Sequence, residues 1–271
     1  MNIAIINNKG GTGKTTTCVN LGAALAVLGY RTLLVDLDSQ TSATLSLGIK
    51  RDQMNPSSAD ILFGSANARD TIRKTGISKL DLITGQMDLA SADLMLADFP
   101  GRELRLSRGL QEVKQDYDFI LYDCPPSLTM LSINALMASD YYIVPMSIEY
   151  LALEGLISLM NGIDRMQQGM GLSSELIGIL FTCTKPRIIR KQITKEISEL
   201  IRNHYDGKVF QTEIPRDKHL EEAPASGKNI FQFAPNSRGA KAYKTLAMEV
   251  IKRCNISTDA GDNQDKLNGS Q

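Results

Sequence analysis

Short apolar runs alternate along the chain with segments in which apolar residues recur every three or four positions. An apolar run of four to eight residues is typical of a buried strand, and the wider spacing is typical of a helix. The predicted strands are Asn2–Ile6, Thr32–Asp36, Leu80–Ile83, Phe119–Asp123, Tyr141–Val144 and Leu176–Phe181, with a short one at Lys208–Phe210. Strands that alternate with helices predict a doubly wound α/β fold, with a mostly parallel sheet flanked by helices.

The length and the spacing of these elements favour one domain over residues 1–254. The 271 residues are 42% hydrophobic, which is enough to form a full core, and no repeat or Pro/Gly-rich linker divides the chain. The last helical pattern, Arg238–Arg253, is amphipathic, so we expect it to pack on the core. Residues 255–271 are polar and lack aromatic side chains. They predict a disordered tail.

A phosphate-binding loop lies between the first predicted strand and a predicted helix at Thr15–Leu28. The Walker A motif reads G-x-x-x-x-G-K-[ST], and here Asn8 replaces its first glycine. Three glycines let successive amides turn towards anionic oxygens, and they are Gly10, Gly11 and Gly13. The start of the helix adds partial positive charge. Lys14 is predicted to reach the β and γ phosphates, and Thr15 to coordinate Mg²⁺.

A second lysine, Lys9, opens this loop. Two neighbouring ammonium groups repel each other unless negative charge is close, and a triphosphate supplies that charge. Residues 9–16 read Lys-Gly-Gly-Thr-Gly-Lys-Thr-Thr. They resemble the K-G-G-x-G-K-[ST]-[ST] signature of the deviant Walker A ATPases, the group that contains ParA-type partition proteins and MinD. In that family the first lysine crosses a two-fold interface, so the resemblance implies that Lys9 acts on the partner's ATP in a homodimer.

Two predicted strands end in carboxylates. Phe119–Asp123 resembles a Walker B strand, whose carboxylate faces the Mg²⁺ shell. Residues 36–40 read Asp-Leu-Asp-Ser-Gln where the family reads D-x-D-P-Q, and the resemblance implies that Asp38 orients the attacking water. Taken alone, either aspartate could equally be a strand-end cap.

The site residues that the motifs and the resemblance imply fall into three groups. The catalytic group is Lys9, Lys14, Asp38 and Asp123, and the metal ligands are Thr15, Asp38 and Asp123. The nucleotide contacts are Lys9, Gly10, Gly11, Thr12, Gly13, Lys14, Thr15, Thr16, Gln40 and Pro215. No histidine base or arginine finger accompanies these motifs, and such a finger contributes about 10³ to 10⁵ in rate. We therefore expect slow, Mg²⁺-dependent ATP hydrolysis that a ParB-like or equivalent adaptor accelerates.

The resemblance covers residues 1 to about 253 and favours the ParA branch, because patterns of the later half match too, such as Ile214-Pro215-Arg216 and Ser237-Arg238-Gly239-Ala240. It implies that the protein positions or segregates a cargo, which in this family is a plasmid, a chromosome origin or a protein body such as a carboxysome. Two alternatives stay open. A MinD-like membrane-cycling regulator would need an apolar, basic amphipathic tail, and the tail here is polar. A metabolic ATP-dependent enzyme could use the same fold.

Charge is unevenly distributed although 30 Lys and Arg balance 30 Asp and Glu. Residues 182–253 carry 15 basic and 8 acidic residues, and the densest basic cluster is Lys185, Arg187, Arg190, Lys191 and Lys195. Such a run is usually a solvated helix face. The resemblance implies instead that the dimer binds double-stranded DNA nonspecifically here. Arg187 falls on a family DNA-binding arginine, whereas His219 replaces a second one, so Lys218 is the candidate substitute.

The remaining sequence features concern cysteines and targeting. The four cysteines form no C-x-x-C pair, so neither a disulfide framework nor the iron–sulfur ligands of nitrogenase-type relatives are indicated. No apolar stretch approaches the roughly 20 residues of a membrane span, and Met1 leads directly into a strand. We therefore expect a cytoplasmic protein without a membrane partner, and the resemblance implies that it associates with the nucleoid.

Overall fold

The computed structural model describes residues 1–149, 152–185 and 192–254. Seven strands form one sheet in the order β3-β4-β2-β5-β1-β6-β7. Their bounds are β1 Asn2–Ile5, β2 Thr32–Asp36, β3 Ile72–Lys74, β4 Leu80–Ile83, β5 Phe119–Asp123, β6 Tyr141–Ser147 and β7 Glu175–Thr182. Strand β3 runs antiparallel to β4, and the other neighbouring pairs are parallel.

Helices join these strands. Their bounds are α1 Lys14–Val27, α2 Ser42–Ser46, α3 Ser58–Phe63, α4 Ala68–Thr71, α5 Ala92–Met95, α6 Arg105–Gly109, α7 Met130–Ala138, α8 Ala152–Met170, α9 Gln192–His204, α10 Lys218–Glu222, α11 Ile230–Phe233 and α12 Arg238–Arg253. Short 3₁₀ helices lie at Arg51–Gln53, Met87–Ser91, Arg102–Leu104, Lys114–Asp116 and Ala223–Ser226. The alternation of strands and helices gives the doubly wound fold that the apolar pattern predicts.

The sheet separates two apolar cores because successive strand side chains point to opposite faces. Ile3 and Ile5 of β1 belong to the core that contains α1 and α12, whereas Ala4 belongs to the other core, which contains α3, α6, α7 and α8. In β2, Leu34 lies on the α1 face, and its two neighbours Leu33 and Val35 lie on the α8 face. Strands buried on both faces read as continuous apolar runs, which is the pattern that predicted them.

The predicted boundaries are confirmed for β2, β4 and β5 and need correction elsewhere. Strand β1 ends at Ile5 rather than Ile6, whereas β6 and β7 extend to Ser147 and Thr182. The edge strand β3 was not predicted. The predicted strand at Lys208–Phe210 is wrong, because Val209 makes only an isolated bridge to Ile179.

The parallel register brings the ends of three strands together. Ile5 at the end of β1 and Asp36 at the end of β2 both pair with Asp123 at the end of β5. Strands β2 to β5 lie on one side of β1 in the sheet, and strands β6 and β7 lie on the other side. The direction in which successive strands are added thus reverses next to β1. Sheets of this kind bind ligands in the crevice at such a topological switch point. Within the described part of the chain, none of the helices has the length and apolar character that a bilayer span requires. Residues 255–271 lie outside that part, so the disordered tail stays a prediction.

Candidate nucleotide-binding site

The loop between β1 and α1 has the backbone of an anion cradle. Gly11 and Gly13 have φ of 73° and 82°, in the left-handed region that side chains with a Cβ rarely adopt. No atom of the described residues lies within 4 Å of a Cβ added at Gly10 or Gly11, so the loop borders open space at these two positions. No side chain caps the start of α1. Its first amides are therefore available to a negatively charged ligand.

Lys14, the first residue of α1, lies over this loop. Its side chain is largely buried, and Nζ donates to the backbone carbonyl of Lys9 at 3.1 Å. Burial lowers the pKa of Lys14 from its ordinary value, and the carboxylates of Asp123 and Asp38 act in the opposite direction. The ammonium group is thus held among carbonyl and carboxylate oxygens, a position from which it can exchange its bond to the loop for one to phosphate.

Lys9 is paired with a residue outside the loop. Its ammonium group forms an ion pair with Glu149, just after β6, and both side chains are about half exposed, at 49% and 58%. The hydrogen bond from Lys9 lowers the pKa of Glu149. The two loop lysines therefore differ, since Lys14 bonds the loop whereas Lys9 is paired at the surface.

Asp123, the last residue of β5, has a buried carboxylate without a well-formed hydrogen bond. Its side chain is fully buried, and neither oxygen accepts a well-formed hydrogen bond from the described residues, although the hydroxyl of Thr15 is close enough to lower the pKa of the carboxyl group. Burial and the nearby Asp36 raise the pKa of Asp123 well above its usual range, and the hydroxyl of Thr15 and the ammonium of Lys14 offset this only in part. A buried carboxylate with both oxygens unpaired is costly unless a cation binds there.

This arrangement fits a Mg²⁺ ion that arrives with nucleotide phosphates. Mg²⁺ is usually bound through one or two carboxylates, waters and phosphate oxygens rather than by an all-protein cage. Consistent with this, no group of three His, Cys, Asp or Glu ligands occurs among the described residues. Asp123 and Thr15 would hold the ion, and the ion would neutralise charge that develops on the phosphates.

Asp36, at the end of β2, is buried like Asp123 but fully bonded. Its carboxylate accepts from the amide and the hydroxyl of Thr44, at 2.9 and 2.6 Å, and from the amide of Asp38 at 3.1 Å. Burial raises the pKa of Asp36 to about 6, against these hydrogen bonds, which lower it. The hydroxyl of Thr44 also accepts from the amide of Gly85. Asp36 therefore ties β2 to α2 and to the end of β4.

Asp38 closes the turn that follows β2. Its carboxylate accepts from the amide of Gln40 at 3.0 Å, and its carbonyl accepts from the amide of Thr41 at 2.9 Å. These bonds shape the turn although Ser39 stands where the family carries proline. Asp38 and Gln40 line a cavity of about 320 Å³ together with Pro125, which lies shortly after Asp123. The structure therefore places the predicted Asp38 and Gln40 at the same end of the sheet as Asp123.

Pro215 lines a second cavity, of about 250 Å³, beside the loop. Gly13 and Thr16 line it from the loop side, and Tyr243 of α12 contributes to its wall. Thr182 at the end of β7 also borders it and donates from its hydroxyl to the carbonyl of Thr12 at 2.9 Å. The cavity is partly apolar and adjoins the phosphate loop, as a nucleobase pocket would.

The predicted DNA contacts are only partly described. Lys185 and Lys218 are exposed, whereas Arg187, Arg190 and Lys191 lie outside the described residues. The ring Nδ1 of His219 lies 2.8 Å from Asp217 Oδ1. Burial raises the pKa of Asp217, but the amides of Gly239 and His219 and the His219 ring together bring it below its ordinary value. Because the ring is held by this carboxylate, Lys218 is the more accessible of the two side chains.

Sequence reasoning missed three residues that the structure brings to the site. Glu149 pairs with Lys9, Thr182 binds the loop carbonyl, and Thr44 holds Asp36. Glu149 and Thr182 lie 140 and 170 positions from their partners. No local spacing signals contacts at that separation. Thr44 lies only eight residues from Asp36, but a threonine in a helix carries no signal of its own.

Comparisons with known proteins agree with this geometry. The model of a family described as AAA domain matches residues 1–176. The sporulation initiation inhibitor protein Soj of Bacillus subtilis is 45% identical over 248 residues, 92% of this chain and 97% of Soj. The chromosome partitioning protein ParA of Caulobacter vibrioides is 38% identical over 93% of this chain and 94% of its own length. Cobyrinic acid a,c-diamide synthase of Mycobacterium smegmatis, solved with bound ADP and magnesium, has a TM-score of 0.81 and 32% identity, over 94% of this chain and 95% of the synthase.

Proposed function

The chain belongs to the ParA/Soj family of chromosome-partitioning P-loop ATPases, and from that premise we propose that it is a slow, Mg²⁺-dependent ATPase whose ATP-bound dimer binds DNA and positions a cargo. The cargo is a plasmid, a chromosome origin or a protein body. Hydrolysis, stimulated by a ParB-like or equivalent adaptor, dissolves the dimer and releases the DNA. Association and release thus form one cycle.

The difference in burial and in contacts between the two loop lysines is the observation that carries this proposal. Lys14 is buried over its own loop, whereas Lys9 is half exposed and paired with Glu149 at the surface. A lysine directed outward can reach a nucleotide bound to a second copy. ATP would neutralise the repulsion between the facing lysines of two copies, and loss of the γ-phosphate would restore it.

Dimer formation is tested with a hydrolysis-blocked Asp38→Ala variant saturated with Mg-ATP. We expect sedimentation as a dimer with ATP and as a monomer with ADP. Adding Lys9→Ala is expected to return the ATP-bound protein to a monomer, and adding Lys252→Ala, at an exposed lysine of α12, is expected to leave the dimer intact. A single-subunit species for Asp38→Ala in saturating Mg-ATP would refute the dimer.

DNA binding is tested with the double charge reversal Arg187→Glu/Arg190→Glu. We expect the ATP-bound dimer to retain duplex DNA of any sequence, with a log–log salt slope near −0.9 per neutralised phosphate, and the double variant to lose it. The control Lys50→Glu/Arg51→Glu changes the net charge equally at an exposed site elsewhere. Unchanged DNA retention by Arg187→Glu/Arg190→Glu would contradict the proposal.

The slow hydrolysis and the positioning role have separate tests. Basal turnover of purified protein should be well below tens per second, because no arginine finger accompanies the motifs. A fluorescent fusion should cover the nucleoid and lose that distribution in a Lys14→Ala variant.

A second candidate, a metabolic ATP-dependent enzyme, is favoured by the likeness to the M. smegmatis synthase, and a small-molecule substrate that accelerates turnover without any adaptor would support it.

A further inference from the structure

The helical segment of residues 87–96 exposes apolar side chains on the side away from the core. Its inward residues Leu89, Ala92 and Leu96 are at most 1% exposed. Its outward residues Met87, Leu94 and Met95 are 69%, 78% and 51% exposed. An ordinary surface helix places polar residues outward. Burying these three side chains against a partner would be favourable, at about 25 cal/mol per Å².

The same segment is acidic. Asp88 and Asp93 are exposed among the apolar residues, and Asp98 follows them. No Lys or Arg lies in residues 80–101. The next two basic residues are engaged, since Arg102 donates to the carbonyl of Ala97 and Arg105 donates to the carbonyl of Leu62 and stacks on Phe99. The acidic apolar surface is the set Met87, Asp88, Asp93, Leu94 and Met95.

This surface is connected to the nucleotide site by a hydrogen bond. Asp93 Oδ1 accepts from the amide of Met130, the first residue of α7, at 2.8 Å. The turn that leads into α7 begins directly after Asp123. Asp93 also lines the 320 Å³ cavity that Asp38 and Gln40 border from the other side. A ligand on Asp93 therefore acts on a hydrogen bond to Met130, which lies seven residues after the buried carboxylate of Asp123.

We propose that the acidic apolar surface is the docking site for a cationic, amphipathic segment of the adaptor, an inference that rests on the proposed function. Charge and hydrophobicity select this occupant, because apolar side chains would cover Leu94 and Met95 while ammonium or guanidinium groups pair with Asp88 and Asp93. A second copy of the chain fits poorly. Across a two-fold axis it would place the same acids opposite each other.

Docking also supplies a route to the hydrolysis site. A cation that pairs with Asp93 competes with the Met130 amide for the same carboxylate. The start of α7 and the turn after Asp123 then lose one of their anchors. Asp93 acts here as a positioning residue, because its effect passes through the amide of Met130 at the start of α7.

The test uses the full chain as the Asp38→Ala variant with Mg-ATP, and two synthetic peptides of 20 residues. One peptide is an amphipathic helix of Leu and Lys that carries a dye, and the other has Glu in place of each Lys. Fluorescence anisotropy is expected to show saturable binding of the Lys peptide and none of the Glu peptide. Leu94→Ser/Met95→Ser is expected to weaken binding of the Lys peptide at least tenfold.

Two further variants separate charge from apolar contact and from general surface change. Asp88→Asn/Asp93→Asn removes two charges while an amide oxygen can still accept from Met130, and we expect it to weaken binding at least fivefold. Met248→Ser replaces a methionine of α12 that is 49% exposed, close to the exposure of Met95. It should change the affinity less than twofold.

The proposal is overturned if the wild-type surface does not bind the Lys peptide, or if Leu94→Ser/Met95→Ser binds it as tightly as Met248→Ser does. It is also overturned if Leu94→Ser/Met95→Ser lowers the dimer fraction in sedimentation, because the surface would then be an interface between copies. A failure of the proposed function can be distinguished from a failure of the docking proposal. A chain that binds the peptide through Leu94 and Met95 yet stays monomeric in Mg-ATP would refute the dimer and leave the docking surface standing.

Discussion

Asp36 and Asp123 close neighbouring strands, pair with each other in the register and are both fully buried. Asp36 accepts three hydrogen bonds, two from Thr44 and one from Asp38. Asp123 accepts no well-formed hydrogen bond within the described structure, and only the hydroxyl of Thr15 approaches its carboxylate. A carboxylate whose oxygens are all bonded to protein stabilises a turn, and one whose oxygens are left unpaired beside a phosphate loop is available to a cation. The same residue type in the same setting thus serves two purposes.

Asp123→Asn should produce the largest effect on this pair. We expect hydrolysis to fall about 10³-fold, equivalent to about 4 kcal/mol, because the ligand of the ion is weakened. The free energy of unfolding of the nucleotide-free protein should stay unchanged or rise by up to about 1 kcal/mol, because a buried charge is removed. Turnover assays and urea unfolding measure the two quantities. A large loss of stability would show that Asp123 is a structural residue after all.

Asp36→Ala, in contrast to Asp123→Asn, should act mainly on the free energy of unfolding. Three donors lose their acceptor, and the hydroxyl of Thr44 is left buried without one, so we expect the free energy of unfolding to fall by about 3 kcal/mol. Asp98→Ala, at an exposed aspartate, should change it by less than about 0.5 kcal/mol. If urea unfolding gives Asp36→Ala and Asp98→Ala the same free energy of unfolding, Asp36 does not stabilise the fold. The structural role that distinguishes Asp36 from Asp123 would then be refuted.

The pH dependence of stability sharpens the contrast further. The pKa of Asp36 is raised to about 6, so the folded protein binds a proton that the unfolded chain releases between pH 6 and 4. Its contribution to stability therefore increases as pH falls, by roughly 1 kcal/mol from pH 7 to pH 5. Asp36→Asn should lack this increment when the two proteins are compared by unfolding at both pH values. An identical pH dependence of the two would contradict the assignment.

Glu149→Gln extends the comparison to a carboxylate at the surface and should have the smallest effect. The ion pair with Lys9 is about half exposed, so its loss should hardly change stability. Because Lys9 is released from its own subunit, we expect ATP-dependent dimerisation to strengthen by about twofold to fivefold. Glu154→Gln, on α8 nearby, is the control. Weaker dimerisation of Glu149→Gln would mean that the pair supports the dimer instead of competing with it.

Much of the fold could be predicted because the relevant signals are local. β2, β4 and β5 are apolar runs bounded by polar residues, and their ends are predicted to the residue. The family inferred from residues 9–16 is confirmed by the 45% identity to Soj. β3 was missed because its three residues include Arg73 and Lys74, and it is only partly buried at the sheet edge. β6 was cut short because Pro145 lies inside it, and proline ordinarily argues against a strand interior.

The candidate site could be predicted where a motif is contiguous and not where it is assembled from distant segments. The loop glycines and Lys14 were identified by the spacing of the Walker A motif, and Asp123 by its place at the end of an apolar run once the loop was recognised. The weak hydrogen bonding of the Asp123 carboxylate could not be predicted from the sequence, because it depends on where every neighbouring donor lies. The exposure of Leu94 and Met95 was missed for a related reason, since only the packing decides which side of residues 87–96 faces the core.

The hydroxyl of Thr182 connects the phosphate loop to the end of strand β7. It holds the phosphate loop at Thr12, and it is the last residue of β7, three positions before Lys185 and the basic cluster. Under the proposed function, a movement of the loop on a change of nucleotide would be transmitted through this hydrogen bond to the end of β7. Thr182→Val would keep the size of the side chain and remove its hydrogen bond to the loop, so it would uncouple the phosphate loop from the end of β7.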